Sequence, residues 1–227
     1  MIKYFVKNKK ARKIALAVLT AVSASAILGS SFLLSTKMRR QFSVPAYEVK
    51  RVIDGDTFET KEGQYIRVGY TEAPEMELCG GPEAKQALEK MVLNKPVYLK
   101  VVYRDPYQRL VSLVYTREAF INEAMLREGY SYYERGSSGE IGEELGSATK
   151  KARKQKRGIF SEKCTQSVNL ENSKCNIKGN VRDDRIYYLS SCGVYHNVFV
   201  QLYLGDRWFC SETEAIKAGF RKPDQCR

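Results

Sequence analysis

The stretch Val52-Ile53-Asp54-Gly55-Asp56-Thr57-Phe58, followed by Arg67-Val68-Gly69-Tyr70-Thr71-Glu72-Ala73-Pro74-Glu75, decides how this chain is read. Around it, residues 48–53, 57–60 and 65–70 are rich in aromatic and β-branched residues and read as three short strands. Asp54-Gly55 alone is an ordinary hairpin turn. The alternation of side chains along a strand predicts that Asp54 and Asp56 point to the same face. Two carboxylates on one face are costly unless they hold a cation or lie in water. An arginine and two further acids come within twenty residues, so the segment concentrates charged chemistry where a plain barrel strand needs none.

Outward from this stretch, Gly81-Pro82 opens a helix running to Val92, with Ala84, Leu88 and Met91-Val92 as its apolar face. Residues 97–103 and 110–115 alternate as strands around a polar turn at 104–109. Residues 119–128 form a second helix closed by Gly129, and 140–155 a third. That order predicts an α+β fold: a five-stranded barrel with three helices, followed by a small Cys-rich module. Lys150, Lys151, Arg153, Lys154, Lys156 and Arg157 crowd the end of the third helix. They are read as offsetting the helix macrodipole and solvating an exposed face, with a nucleic-acid patch as the other reading.

These residues resemble the staphylococcal-type (thermonuclease-like) nuclease family. The resemblance runs from about Tyr47 to Glu162, in seven blocks in the family's order. They are Ile53 to Thr57, Arg67, Ala73 to Glu75, Gly81 to Ala84, Asp105 to Arg109, Asn122 to Ala124, and Arg157 to Glu162. It implies an OB-fold barrel and a Ca2+-dependent phosphodiesterase that cuts single-stranded or frayed DNA and RNA, leaving 3′-phosphate ends. It also implies roles: Asp56, Glu72 and the Ala73 carbonyl as metal ligands, and Asp54 as a group orienting waters or Asp56. Glu75 would position or deprotonate the attacking water, Arg67 and Arg109 would clamp the phosphate, and Tyr107 would lie against the nucleotide. Glu72 stands where the family usually has an aspartate, Ala73 where threonine is common, and Pro106 and Gln108 where lysine and glycine are often seen. The residues support that chemistry on their own terms. The segment has no His, since the single His of the chain is His196, and no Ser or Cys nucleophile has a base beside it. Carboxylates, a hard cation and arginines remain.

The formal charge of +12 is unevenly spread. Residues 1–40 hold nine Lys/Arg and no acid, whereas 41–163 carry 20 basic and 19 acidic residues. Phosphate affinity must therefore come from local clustering and not from a global field. Residues 1–13 read as a basic cytoplasmic segment, and 14–35 as an uncharged run long enough to span a bilayer. The alternative is a signal peptide cleaved near Ala24-Ser25-Ala26. Either way the thermonuclease-like domain, 41–163, and the module, 164–227, are expected outside the cytoplasm, membrane-anchored or secreted.

Cys164, Cys175, Cys192, Cys210 and Cys226 lie in that module, and Cys79 lies beside the acids. In an exported chain six cysteines read as three disulfides, and the simplest partition pairs Cys79 with Cys164. A zinc site built on Cys175, Cys192, His196, Cys210 and Cys226 is the alternative. Against the enzyme stands a non-catalytic OB-fold module that binds nucleic acid at the cell surface. No protein partner is implied.

Overall fold

A computed structural model describes residues 46–134, 136–182 and 184–226. The basic segment and the apolar run of 14–35 lie outside the described residues. Among the described residues, no helix is long and apolar enough to cross a membrane.

The barrel strands are β1 (Tyr47–Val52), β2 (Thr57–Thr60), β3 (Tyr65–Val68), β5 (Pro96–Arg104) and β6 (Leu110–Tyr115). They close in the order β1-β2-β3-β6-β5. β1 turns both Val49 and Val52 into the core, which strict alternation forbids. A register shift between Val49 and Arg51 makes it possible, because one extra residue reverses the facing of the rest of the strand. β2 is buried on both sides. Phe58 fills the barrel, and on the outside Glu59 is covered by Lys50 and Arg51, whose nitrogens lie 2.7 and 2.6 Å from its oxygens. Antiparallel hairpins join β1 to β2, β2 to β3 and β5 to β6. β3 and β6 are parallel, so the chain must cross over between them.

That crossover carries helix α1 (Gly81–Val92), whose Ala84, Leu88 and Val92 recur every four residues and plug the barrel against Phe58, Ile66 and Val68. Helix α2 (Ile121–Arg127) comes after β6. Buried Asn122 pins it there: its Oδ1 accepts from Val114 N at 2.8 Å, and its Nδ2 donates to Gly69 O at 2.7 Å. Gly129 ends this helix with φ +73°, as a left-handed cap requires. Helix α3 (Gly139–Lys154) packs on α2 through Leu126, Leu145 and Ala148. The two-residue strands β4 (Thr71–Glu72) and β7 (Tyr132–Tyr133) pair beside the barrel. The expected five-stranded barrel with three helices is borne out.

The C-terminal module has its own core of Ile177, Tyr187, Phe209, Ala215 and Phe220. It is built on β9 (Ile177–Asn180), flanked by β10 (Ile186–Tyr188) and β12 (Arg207–Phe209), with β8 (Thr165–Gln166) paired to β11 (Val200–Gln201) and helix α4 (Glu212–Lys217) alongside. Disulfides join Cys79 to Cys164, Cys175 to Cys210 and Cys192 to Cys226. The disulfide reading and the Cys79–Cys164 pairing are thus borne out. The zinc alternative is overturned, because every sulfur it needed is in a disulfide and His196 is left exposed.

Candidate active site

Asp54 and Asp56 do not share a strand face. Residues 54–56 form a bend in which the Asp54 Oδ1 accepts the Asp56 N–H at 3.0 Å. Asp54 shapes the turn by capping a backbone donor, the local hydrogen bonding that makes aspartate common in bends. Gly55 is required by close approach and not by backbone conformation: a β-carbon there would lie 2.5 Å from that of Ala73 and 2.7 Å from that of Ala84. The bend can therefore seat directly on the Ala73 segment and on α1.

Asp56 is 5% exposed and has partners on both oxygens. Oδ1 accepts from Arg67 Nη1 at 2.7 Å and from the Thr57 hydroxyl at 2.9 Å, while Oδ2 accepts the Ala73 N–H at 3.1 Å. Arg67 is on β3, where Thr57 of β2 is its direct partner, so the barrel register sets it beside Asp56. Its other terminal nitrogen, Nη2, donates to Glu72 Oε2 at 2.6 Å. One guanidinium thus spans two of the acids singled out from the sequence. Tyr70, at φ +61°, turns the chain sharply after β3 and brings Glu72 back toward Arg67.

The electrostatics are those of a crowded acidic site. Burial, with the Asp54 charge adding to it, outweighs Arg67 and pushes the Asp56 carboxyl up to about 6. Burial also pushes Glu72 up to about 7, opposed by Arg67 and reinforced by Asp56, Glu134 and Glu75. Burial works against the Arg67 charge too, but Asp56, Glu72, Glu134 and Asp54 together raise its pKa above the ordinary arginine value. Two carboxyls that burial and mutual repulsion hold back from ionising are hard oxygen donors for which a divalent cation would supply the missing positive charge. Asp56 and Glu72 therefore fit a Ca2+-type ion by donor chemistry, although no group of three or more such side chains is gathered among the described residues.

Glu75 is exposed, and among the described residues its carboxylate accepts no hydrogen bond. Its backbone is tightly held: its carbonyl accepts from Leu78 N at 2.9 Å, and a β-carbon on Gly81 would sit 2.0 Å from that oxygen. The Cys79–Cys164 disulfide fastens the same loop to the segment after α3.

Arg109 closes the β5–β6 hairpin. Its Nε lies 2.7 Å from Asp105 Oδ2, and Asp105 Oδ1 caps the N–H groups of Tyr107 and Arg109. Gln108 takes the left-handed position with φ +66°, where the family often has glycine. Val111 is the partner of Arg67 across the parallel pair, so Arg109 lies two residues along β6 from the Arg67 position. Tyr107 is 80% exposed, and the Arg109 guanidinium sits 5.4 Å from its ring centroid. Asp54, Asp56, Arg67, Glu72 and Ala73 are thus brought together, with Glu75 on the adjoining loop, while Arg109 and Tyr107 form a separate pair on the hairpin.

Two residues near the acids were missed in the sequence. The carboxylate of Glu134 acts on both Arg67 and Glu72, and Tyr132 is the β-pair partner of Glu72. The aromatic run Tyr130-Ser131-Tyr132-Tyr133-Glu134, standing between two helices without belonging to either, was the available signal.

The profile of the family described as Staphylococcal nuclease homologue matches residues 56–162. An uncharacterized endonuclease of Escherichia coli O157:H7 is 31% identical over 119 residues, covering 50% of this chain and 76% of the relative. A micrococcal nuclease of Shigella flexneri is 29% identical over 171 residues, covering 66% and 89%. A probable endonuclease of Verticillium alfalfae is 31% identical over 134 residues, covering 53% and 47%. The fold and the site define an OB-fold enzyme of the nuclease class. The chain belongs to the staphylococcal nuclease homologue family.

Proposed function

We propose that this nuclease is Ca2+-dependent and hydrolyses phosphodiester bonds of DNA and RNA, favouring single-stranded or frayed segments. The observation that supports it most is Arg67 spanning Asp56 and Glu72. Asp56, Glu72 and the Ala73 carbonyl would hold the ion, which when bound supplies Lewis acidity and a template for the phosphate.

The chain's own residues carry the remaining roles. Arg67 uses two of its five donors on the acids, which fix the plane of the guanidinium and leave others for a phosphoryl oxygen. Arg109 is tethered to Asp105 through Nε, which leaves its terminal nitrogens to act as a second fork on the phosphate. Two fixed cations meeting the charge that develops on a phosphoryl group are the kind of stabilisation that lowers such barriers most. Glu75, with its carboxylate unpartnered and its backbone locked, is placed to orient or deprotonate the attacking water.

The nuclease domain works outside the cytoplasm on this reading, behind a cytoplasmic 1–13 and a spanning or cleaved 14–35. Three disulfides and no free cysteine among the described residues support it, since such bonds persist in oxidising compartments. Digestion of denatured DNA with Ca2+, and again with excess chelator, tests the proposal. Hydrolysis that stops on chelation is expected, and full activity in chelator would end the metal-dependent reading.

A further inference from the structure

A groove of about 950 Å3 runs between α3 and the C-terminal module, lined by Tyr132, Tyr133, Glu134, Lys150, Arg153 and Arg182. Arg182 belongs to the turn after β9, in the module, whereas Lys150 and Arg153 lie on α3 and the tyrosines on β7. None of the three cations forms an ion pair with a described residue. Lys156 and Arg157, by contrast, are bound to Glu162 and Glu128.

The groove is built, and its β7 wall adjoins the acids, because Tyr132 is the β-pair partner of Glu72. Arg153 is fixed with its guanidinium 4.2 Å from the Phe160 ring centroid. The turn bearing Arg182 is anchored on buried Asp206, which accepts the Val181 N–H at 2.8 Å and the Asn180 side chain at 2.6 Å. Gly142, Gly146 and Ser147 keep the α3 side of the groove low, and Thr149, whose buried hydroxyl has no hydrogen-bond partner among the described residues, lines it too. At one end, Tyr132 pairs with Glu72, and Glu134 acts on Arg67. The Tyr132 ring lies 5.9 Å from that of Tyr203, so it also touches the module. From Glu143 to Arg153 the helix advances about 15 Å, at about 1.5 Å per residue. Along α3 the lining passes from Glu143 to Lys150 and Arg153.

We propose that this groove is a subsite for the sugar-phosphate backbone of a single-stranded nucleic acid whose scissile phosphate lies at Arg67, and that the module supplies Arg182 to it. The inference rests on the nuclease reading above. Cations with no ion-pair partner among the described residues, lining one channel with the rings of Tyr132 and Tyr133, are what sequence-tolerant strand binding uses.

The test is binding, measured in chelator so that cleavage does not interfere. Fluorescence anisotropy of a labelled single-stranded oligonucleotide across a salt series gives the slope of log Kd against log salt for the wild-type protein. Lys150→Gln/Arg182→Gln should lower that slope by about 1.4, about 0.7 for each phosphate no longer neutralised, and each single variant by half as much. Lys174→Gln/Lys217→Gln removes the same charge from exposed positions that do not line the groove, and should leave the slope as it is. An unchanged slope in the groove variant, an equal fall in both double variants, or no binding by the wild type would overturn the subsite. The chelator arm of the digestion assay judges the nuclease reading separately, so the two failures are distinguishable.

Discussion

The ring of Tyr203, from the C-terminal module, lies 5.9 Å from that of Tyr132, the β-pair partner of Glu72. Tyr203 is 2% exposed and also meets Phe160 edge-on, within a cluster that includes Ala152, Ile159 and Cys164. The module therefore backs the short β4–β7 pair that carries Glu72. Tyr203→Ala should cost about 3–5 kcal/mol, the usual range for truncating a large buried aromatic. Tyr203→Phe should remove only the hydroxyl's interactions with Gln201 and Arg153, about 1 kcal/mol for each hydrogen bond. Denaturant unfolding checks both. Beyond the stability loss, Tyr203→Ala should lower turnover in conditions where the variant is still folded, and Tyr203→Phe should not.

Arg67 is the centre of the site, and its fork is the property under test. Arg67→Lys keeps a charge but cannot reach Asp56 and Glu72 together in the observed geometry. Turnover should fall by about two orders of magnitude, with a smaller change in KM, as expected for a donor acting in the transition state. A change confined to KM would make Arg67 a binding residue instead.

Asp56→Ala should abolish hydrolysis and leave the barrel folded, because the missing carboxylate serves the site and not the core. Circular dichroism separates the two effects. It also strands Arg67 beside a half-empty site, so a modest stability loss of about 1–3 kcal/mol accompanies it. Glu72→Asp restores the length common in the family and should retain Ca2+-dependent cleavage. A dead Glu72→Asp enzyme would mean that the pocket is shaped to the longer acid.

The Cys79–Cys164 bond closes a separation of 85 residues with its Cα atoms 5.5 Å apart. Its removal in Cys79→Ala/Cys164→Ala should lower stability by about 4 kcal/mol in the chain-entropy model. Because Cys79 sits in the Glu75 loop, turnover should also fall when measured well below the variant's melting temperature. Loss of stability with unchanged turnover would limit the bond to a structural role.

Lys178 gives a pH-dependent prediction remote from the catalytic chemistry. It is 1% exposed, donates to the Tyr195 and Val198 carbonyls at 2.9 and 2.6 Å, and lies 4.1 Å from the Tyr195 ring centroid. Burial lowers its pKa below the ordinary lysine value of 10.5. The unfolded chain therefore binds more protons than the folded one between the two pKa values, and stability rises with pH across that window. Relative to Lys178→Met, the wild type should gain stability as pH climbs toward 10.5 and lose that gain as pH falls back through the folded-state pKa. Denaturant unfolding at a series of pH values checks the sign.

Local chemistry determined much of this protein. The four-residue period of Ala84, Leu88 and Val92, the caps at Pro82 and Gly129, and the branched and aromatic runs of the strands are local signals. The elements appear close to where those signals lie. Asp56, Arg67 and Glu72 fall within 17 residues on adjoining strands, so the core of the site was legible as a cluster. The even cysteine count likewise pointed to three bridges, and the lone position of Cys79 to its partner.

Other features were decided only by tertiary structure, because they depend on which distant segments meet. A bulge set the facing of β1, and a bend set Asp54 to capping its neighbour's N–H where strand alternation had paired it with Asp56. Gly55 reads as a turn residue, yet its constraint comes from Ala73 and Ala84 pressing on it from two other segments. Four module cysteines allow several pairings, and only the packing of β9, β12 and the last turn chose Cys175–Cys210 and Cys192–Cys226. Glu134, Tyr132 and Arg182 lie 62, 60 and 110 residues from Glu72, and no periodicity carries information over such a separation. Tyr132 and Glu134 come to the acids because β7 pairs with β4, and Arg182 comes to the groove beside them because Tyr203 docks the module against Tyr132.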